Sequence, residues 1–531
     1  MSRRAISPLL LLSLCVLAAS CAPARAPSPV APGGGPFAGA PTPDELRRDL
    51  MIFASDSFRG RKTGTPDELR AARFLATRLA ALGLEPAGDS GFFQRVPLIR
   101  PGLGPRTRFE VRTSAGVSSL APGVALFPLG APPRAEALPA LHAEGDVVFF
   151  GYGVPTARTS REALDGMDLT GKVVVVVNGA PKDVEPSRRA ALESPDQVGR
   201  HLVALIARRP AAIVVLLTGA SARVLPQLAR QYARLARTDD VFPAPPDSAR
   251  TLPMLLVGDS ARARALLPDG WPDDDRPRVL EGRHFTGVVD QTLNGYNVVG
   301  IVRGRDPALR STYVAYGAHL DHIGVNPIAP DSARAASAGA IDSINNGADD
   351  DGSGSVSLLA LARAFQNGPR PRRSVLFIWH TGEEEGLFGS EHFTSHPTVP
   401  LDSIVAQLNA DMIGRNAPDS LYLVGPVAAP NGQSKRLGAI VDSVNAALPR
   451  PFLINREWDS PTHPEQIYYR SDHFNYARRG VPIVFFTSGL HEDYHRVSDE
   501  PSKIDYDKLA RVDALLLAVG HAVGDREGRL K

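Results

Sequence analysis

Five clusters of acidic and imidazole side chains are spaced through the second half of this chain, and four of them directly follow apolar runs. His319-Leu320-Asp321-His322 follows Tyr313–Ala318, and Glu383-Glu384-Glu385 follows Val375–His380. Asn409-Ala410-Asp411 follows Ile404–Leu408, and His491-Glu492-Asp493-Tyr494-His495 follows Ile483–Thr487. The fifth cluster, Asn346 to Gly354 with Asp349, Asp350 and Asp351, opens the helical run Ser355–Phe365. Acids gathered this closely raise one another's pKa unless a cation offsets them, which suggests a metal site. Imidazole and carboxylate without thiolate suit zinc, manganese or iron, and a shared carboxylate allows two ions ~3.5–4 Å apart. Such a pair activates a water and polarises a carbonyl or phosphoryl group, but still needs an unligated carboxylate as general base. Thiolate is excluded because the two cysteines, Cys15 and Cys21, both lie at the N-terminus, which also excludes a disulfide framework beyond it. The string His491-Glu492-Asp493-Tyr494-His495 has the H-E-x-x-H spacing of helical zinc sites. Gly489 precedes it and Asp493, Ser498 and Pro501 interrupt any helical period, so a loop is expected there.

The elements that must hold these clusters read as strands alternating with helices. Strands are expected at Val147–Phe150, Val173–Val177, Ile213–Leu217 and Met254–Val257, then at Asn297–Val302, Tyr313–Gly317, Val375–Trp379, Ile404–Leu408, Leu421–Val424 and Ile483–Thr487. Helical periods cover Pro66–Leu82, with Gly83 as stop, and Ser355–Phe365, Ser434–Ala447 and Tyr506–Val523. The alternation predicts an α/β fold with a doubly wound, mostly parallel sheet flanked by helices. In such a sheet, ligands sit at the carboxyl ends of the strands, where the four clusters fall.

Length and composition bound the rest. At ~150 residues per domain, 531 residues make three or four domains. Residues 1–20 read as a signal segment, with Arg3-Arg4 ahead of the apolar run Leu9–Ala19, too short to span a bilayer. Leu17-Ala18-Ala19-Ser20-Cys21 looks like a bacterial lipobox, although Ala18 departs from the usual Leu, and 21–43 is a Pro/Gly/Ala-rich linker. The expectation is an exported protein of the bacterial cell envelope, attached to the membrane only through a lipidated Cys21. Residues 44–139 are assigned to the N-terminal part of a catalytic domain, 140–290 to an insert, and 291–531 to the catalytic domain proper. Lys plus Arg number 59 against 57 Asp plus Glu, a balance that argues against nucleic-acid binding.

Taken together, these residues resemble peptidase family twenty-eight of the metallopeptidases, the co-catalytic zinc aminopeptidases. The matching strings are Gly317–His322, Asn346–Gly354, Gly382–Ser390, Asn409–Gly414, Ser471-Asp472-His473-Phe474 and Tyr494-His495, with a looser match at Phe58-Arg59-Gly60-Arg61. The resemblance implies the zinc aminopeptidase fold, peptide substrates and two Zn2+. It assigns His319 and Asp411 to one ion, Glu384 and His495 to the other, and Asp350 to both. It makes Glu383 the general base, Asp321 the carboxylate that fixes the tautomer of His319, and Tyr494 a donor to the tetrahedral intermediate. His322 and His473 are read as supporting or substrate-side groups outside the ligand set, and Asp349 and Asp351 as solvated or supporting. The insert resembles a protease-associated domain through Asp165–Lys172 leading into Val173–Val177, an α/β or β-rich module.

Several functions compete on this reading. The leading one is a two-zinc exopeptidase that removes N-terminal residues from peptides. A carboxypeptidase of the glutamate-carboxypeptidase type would need an arginine cluster for the substrate carboxylate. A glutaminyl cyclase would use a single zinc, and a non-catalytic binding scaffold of the transferrin-receptor kind would have lost ligands that this chain keeps.

Overall fold

The computed structural model describes residues 39–100, 104, 106–129, 141–156, 158–181, 184–193, 195–235, 241–244, 252–290, 292–326 and 342–530. The signal segment, Cys21 and most of the linker lie outside the described residues. Among the described residues, no helix is long and apolar enough to cross a membrane.

A ten-stranded sheet carries the functional clusters. Its four central strands, Ser374–His380, Tyr313–His319, Ile404–Ala410 and Ile483–Thr487, run parallel in that spatial order. Flanking strands pair antiparallel, Thr292–Val302 on one side and Ser420–Val424 on the other. All four central strands have every residue buried from end to end, which explains why they read as continuous apolar runs rather than alternating ones. Alternate side chains still face opposite layers. Val314, Tyr316 and Ala318 pack with the helices Pro66–Leu82, Gly354–Asn367 and Tyr506–Gly524, whereas Tyr313 and Ala315 pack with Phe393, Tyr476 and Ala477. Burying a Leu or Phe of these layers contributes about 1.5–3 kcal/mol each.

A second sheet of eight strands has its own two core layers, one around Phe109, Phe149 and Phe285 and one around Val148, Val174 and Ile213. The sequence places the start of the insert at 140, but this sheet also takes in the strands Arg108–Thr113, Gly116–Ser119 and Leu126–Leu129. The earlier strands were missed because their short, half-exposed alternation is broken by Pro and Gly.

The N-terminal helices are built by local signals. Thr42 and Glu45 form a capping box at Pro43–Phe53. Thr65 caps Pro66–Leu82 ahead of Pro66, and Gly83 ends it at φ 75°. Between them the chain reverses through Gly60 at φ 68°, where a Cβ would stand 2.5 Å from the carbonyl oxygens of Asn345 and Gly324. Only glycine fits there, and that close approach delivers the next residue, Arg61, into the loops of the functional site.

Candidate metal centre

Each strand of the parallel core ends at a functional side chain. His319 is the last residue of its strand, Asp411 follows Ile404–Ala410, Glu383 and Glu384 follow Ser374–His380, and His495 lies in the loop beyond Ile483–Thr487. Asp350 enters from the loop before the helix Gly354–Asn367. His319 Nε2 lies 3.1 Å from Asp350 Oδ1 and 3.6 Å from Asp411 Oδ1. His495 Nε2 lies 2.9 Å from Glu384 Oε2 and 3.2 Å from Asp350 Oδ2. Asp350 thus stands between the two sets, with one oxygen toward each. His491 takes no place in either set: no helix spans it and His495, and its Nε2 lies 3.3 Å from Asp349 Oδ2.

The chemistry of this donor set fits divalent cations. His319 Nε2, Asp350 Oδ2 and Asp411 Oδ1 are buried without a hydrogen-bond partner, an arrangement that is costly unless something binds them. His319, Asp350 and Asp411 can bring one ligand atom each within 4.8 Å of one another, and so can His322, Asp350 and Glu384. Around them Asp321, Asp349 and Asp351 are wholly buried as well. Burial holds the Glu383 carboxyl well above the usual carboxylate range, with Asp411, Glu384 and Asp472 adding to it against the pull of His319. Burial likewise raises Asp351, and Asp321 is pushed up to about 6.

Residues around the centre fix its geometry. His319 Nδ1 lies 3.1 Å from the backbone carbonyl oxygen of Asp321, whereas the Asp321 carboxylate is 3.8 Å away. The tautomer of His319 is therefore set by the Asp321 carbonyl, not by its carboxylate as the sequence suggests: the backbone after the strand turns that carbonyl inward. The carboxylate instead accepts from Thr63 Oγ1 at 2.7 Å and from the Glu383 N–H at 3.2 Å, so it steadies the candidate base. Asp349 and Asp351 are supports rather than solvated groups. Asp349 accepts from the Gly414 N–H, and Asp351 from the N–H groups of His319 and Gly354. Ser471 Oγ donates to Asp411 Oδ2 at 2.8 Å.

Two contributors, Asp499 and Arg61, escaped the sequence reading, and His322 was weighed there only as a supporting or substrate-side group. His322 is buried, with Nδ1 2.6 Å from Glu384 Oε1, so Glu384 is flanked by two imidazoles. Its place in the His-Leu-Asp-His string was the available signal. Asp499 accepts from the N–H groups of both Asp349 and Asp350, and burial pushes it up to about 6. Arg61, fully buried, donates to the carbonyl oxygens of Leu320, Asn346 and Gly347. Nothing in sequence marks Asp499, while Arg61 stood in a matched string without a role.

A cleft opens beside the centre, lined by Asp350, Glu383 and Asp411 and by Trp458, Phe485 and Tyr494. The Tyr494 ring stacks on His495 at 3.8 Å, and burial raises its phenol above the ordinary range.

An acid-and-imidazole centre at the carboxyl end of central parallel strands is an arrangement that could hold metal ions over a sheet. Residues 297–520 match the pattern of peptidase family M28. It is 29% identical over 226 residues to leucine aminopeptidase 1 of Trichophyton rubrum, covering 40% of this chain and 54% of that one. It is 30% identical over 237 residues to leucine aminopeptidase 1 of Trichophyton equinum, covering 42% and 56%. The chain thus spans about half the length of these curated relatives. Among solved structures, a zinc aminopeptidase from Bacillus subtilis aligns at TM-score 0.44 with 17% identity, covering 92% of this chain and 96% of that one.

Proposed function

We propose that this chain is a two-zinc aminopeptidase that removes N-terminal residues from peptides. The observation that carries the reading is the placement of Asp350 between the His319–Asp411 pair and the Glu384–His495 pair, with Glu383 lining the same cleft. His319 and Asp411 would hold one ion, Glu384 and His495 the other, and Asp350 both. When bound, such ions supply Lewis-acid polarisation of the scissile carbonyl and a water of lowered pKa. His322 and Ser471 orient the carboxylates of Glu384 and Asp411 by hydrogen bonds.

Glu383 is the proton carrier. Its carboxylate accepts a proton from the attacking water and passes it to the leaving amine. The Asp321 carboxylate, bonded to the Glu383 N–H, keeps the base facing the cleft. The Tyr494 hydroxyl donates to the oxygen of the tetrahedral intermediate. Trp458, Ile467, Phe485 and Leu490 give the cleft apolar walls suited to an aliphatic or aromatic first residue. Arg470 is the single arginine among the residues lining that cleft, which favours an aminopeptidase over a carboxypeptidase relying on an arginine cluster.

The signal segment and Cys21 support export and lipid attachment at the bacterial cell envelope, and the second sheet is the body of a protease-associated-like insert. The test of the enzymatic reading combines metal counting with turnover. The purified chain should carry two zinc ions and cleave leucyl p-nitroanilide, and a chelator should remove both properties together. A chain that holds no zinc yet turns over contradicts it.

A further inference from the structure

The cleft is electrically polarised. Asp350, Glu383 and Asp411 line it at the metal centre, and Arg470 is the one cationic side chain among its lining residues. Outward from the His495 ligand, the Tyr494 ring comes first, stacked at 3.8 Å, and then the Tyr494 hydroxyl, which accepts from Arg470 Nη2 at 3.2 Å. The guanidinium carbon also lies 5.9 Å from the centre of that ring. Arg470 is therefore held in place by a residue of the site itself.

The charge of Arg470 is not spent on the contacts it makes. Nη1 lies 3.8 Å from Glu465 Oε2, with the two side chains 38% and 54% exposed. A long, exposed pair of this kind is screened by water and contributes little. The Tyr494 oxygen accepts only one N–H of the guanidinium fork. A planar fork with donors to spare, facing a cleft with partly apolar walls, suits bidentate capture of a carboxylate.

We propose that Arg470 reads substrate length by binding the C-terminal carboxylate of a di- or tripeptide whose first residue lies at Glu383. Short free peptides, rather than long chains or C-terminally blocked ones, are then the preferred class. An extended residue spans roughly 3.3–3.6 Å, so a carboxylate two or three residues along would lie about 7–11 Å from the N-terminal end. This inference rests on the aminopeptidase reading above. The competing role is that Arg470 only orients the Tyr494 hydroxyl, and the two roles differ in what they do to substrates that have no carboxylate.

The experiment uses the full zinc-loaded chain with Leu-Gly and Leu-Gly-Gly beside their C-terminal amides. The free acid should be preferred in kcat/KM by about 10- to 100-fold, the range of a charge-assisted hydrogen-bonded pair. Arg470→Lys should keep part of that ratio, and Arg470→Met should bring it close to one. The same ratio should appear in dissociation constants measured by calorimetry on Glu383→Gln, which needs no turnover. A wild-type ratio near one overturns the proposal, as does a ratio unchanged in Arg470→Met while acid and amide rates fall together. Absence of cleavage by the wild type would overturn the aminopeptidase reading instead, and the calorimetric ratio would still decide the role of Arg470.

Discussion

Arg61 offers the sharpest link between the stability of this protein and its metal centre. The side chain is fully buried and donates from Nε to Leu320 O at 3.0 Å, from Nη1 to Asn346 O at 2.6 Å and Phe53 O at 3.3 Å, and from Nη2 to Gly347 O at 3.0 Å. Its guanidinium also lies over the Phe53 ring at 4.7 Å. One side chain thus joins the loop after His319, the loop before Asp350 and the first helix. Burial pulls its pKa down to about 10, opposed by Asp321, Asp350, Asp351 and Asp499, so it remains charged at neutral pH. Arg61→Met recovers the cost of burying the cation but strands four carbonyls. Each bond from a charged donor contributes about 1.5–3 kcal/mol and the terms are not additive, so a net loss of about 3–5 kcal/mol follows. In thermal unfolding this should lower Tm by roughly 5–10 °C. Freed loops should also weaken zinc binding by about 10- to 100-fold, measured by competition with a chromogenic chelator. Arg61→Lys, with one point donor instead of a fork, should fall between. A Tm within about 2 °C of wild type, with unchanged zinc affinity, would refute the reasoning.

Other outcomes follow from the same structure. Glu383→Gln should keep both zinc ions yet lose turnover by a factor of about 100 or more, since it removes only the proton carrier; undiminished activity rules that role out. His473 is buried against Phe485 and burial pushes its imidazole down to about 3 from 6.5, so the unfolded chain takes up a proton that the folded chain refuses. Stability should therefore fall as pH drops below about 6.5, by up to about 1.4 kcal/mol per pH unit, and His473→Gln should be less acid-sensitive than wild type in thermal scans. An identical decline in both proteins would show that other groups set the acid limit. Cys21→Ser should move the protein from the membrane to the soluble fraction of the cell envelope, whereas a wild type found already soluble contradicts lipid attachment.

The parts of the fold that sequence reading captured are those whose environment is uniform. Met254–Val257 and Ile483–Thr487 match residue for residue, and Tyr313–His319 and Ser374–His380 differ only at their ends, because strands buried on both faces leave an unbroken apolar run. Phe93–Ile99 and Arg278–Val289 went unseen, since Pro97 interrupts one and charged, half-exposed positions fill the other. In the site, His319, Glu384 and Asp411 could be found because each follows a strand that announces itself. The supports could not, because they come from distant segments: Asn346 is 285 residues from the Arg61 that binds its carbonyl, and Asp350 is 149 from Asp499. The role of Asp321 was displaced from carboxylate to carbonyl by a backbone turn that residue types do not encode.

The central claim is metal-dependent cleavage directed by a free N-terminus, and a paired substrate tests it most directly. The zinc-loaded chain should hydrolyse an unblocked leucyl anilide and leave its N-acetylated twin intact, with activity lost on chelation and restored by zinc. Cleavage of both substrates, or of the acetylated one alone, would contradict the account.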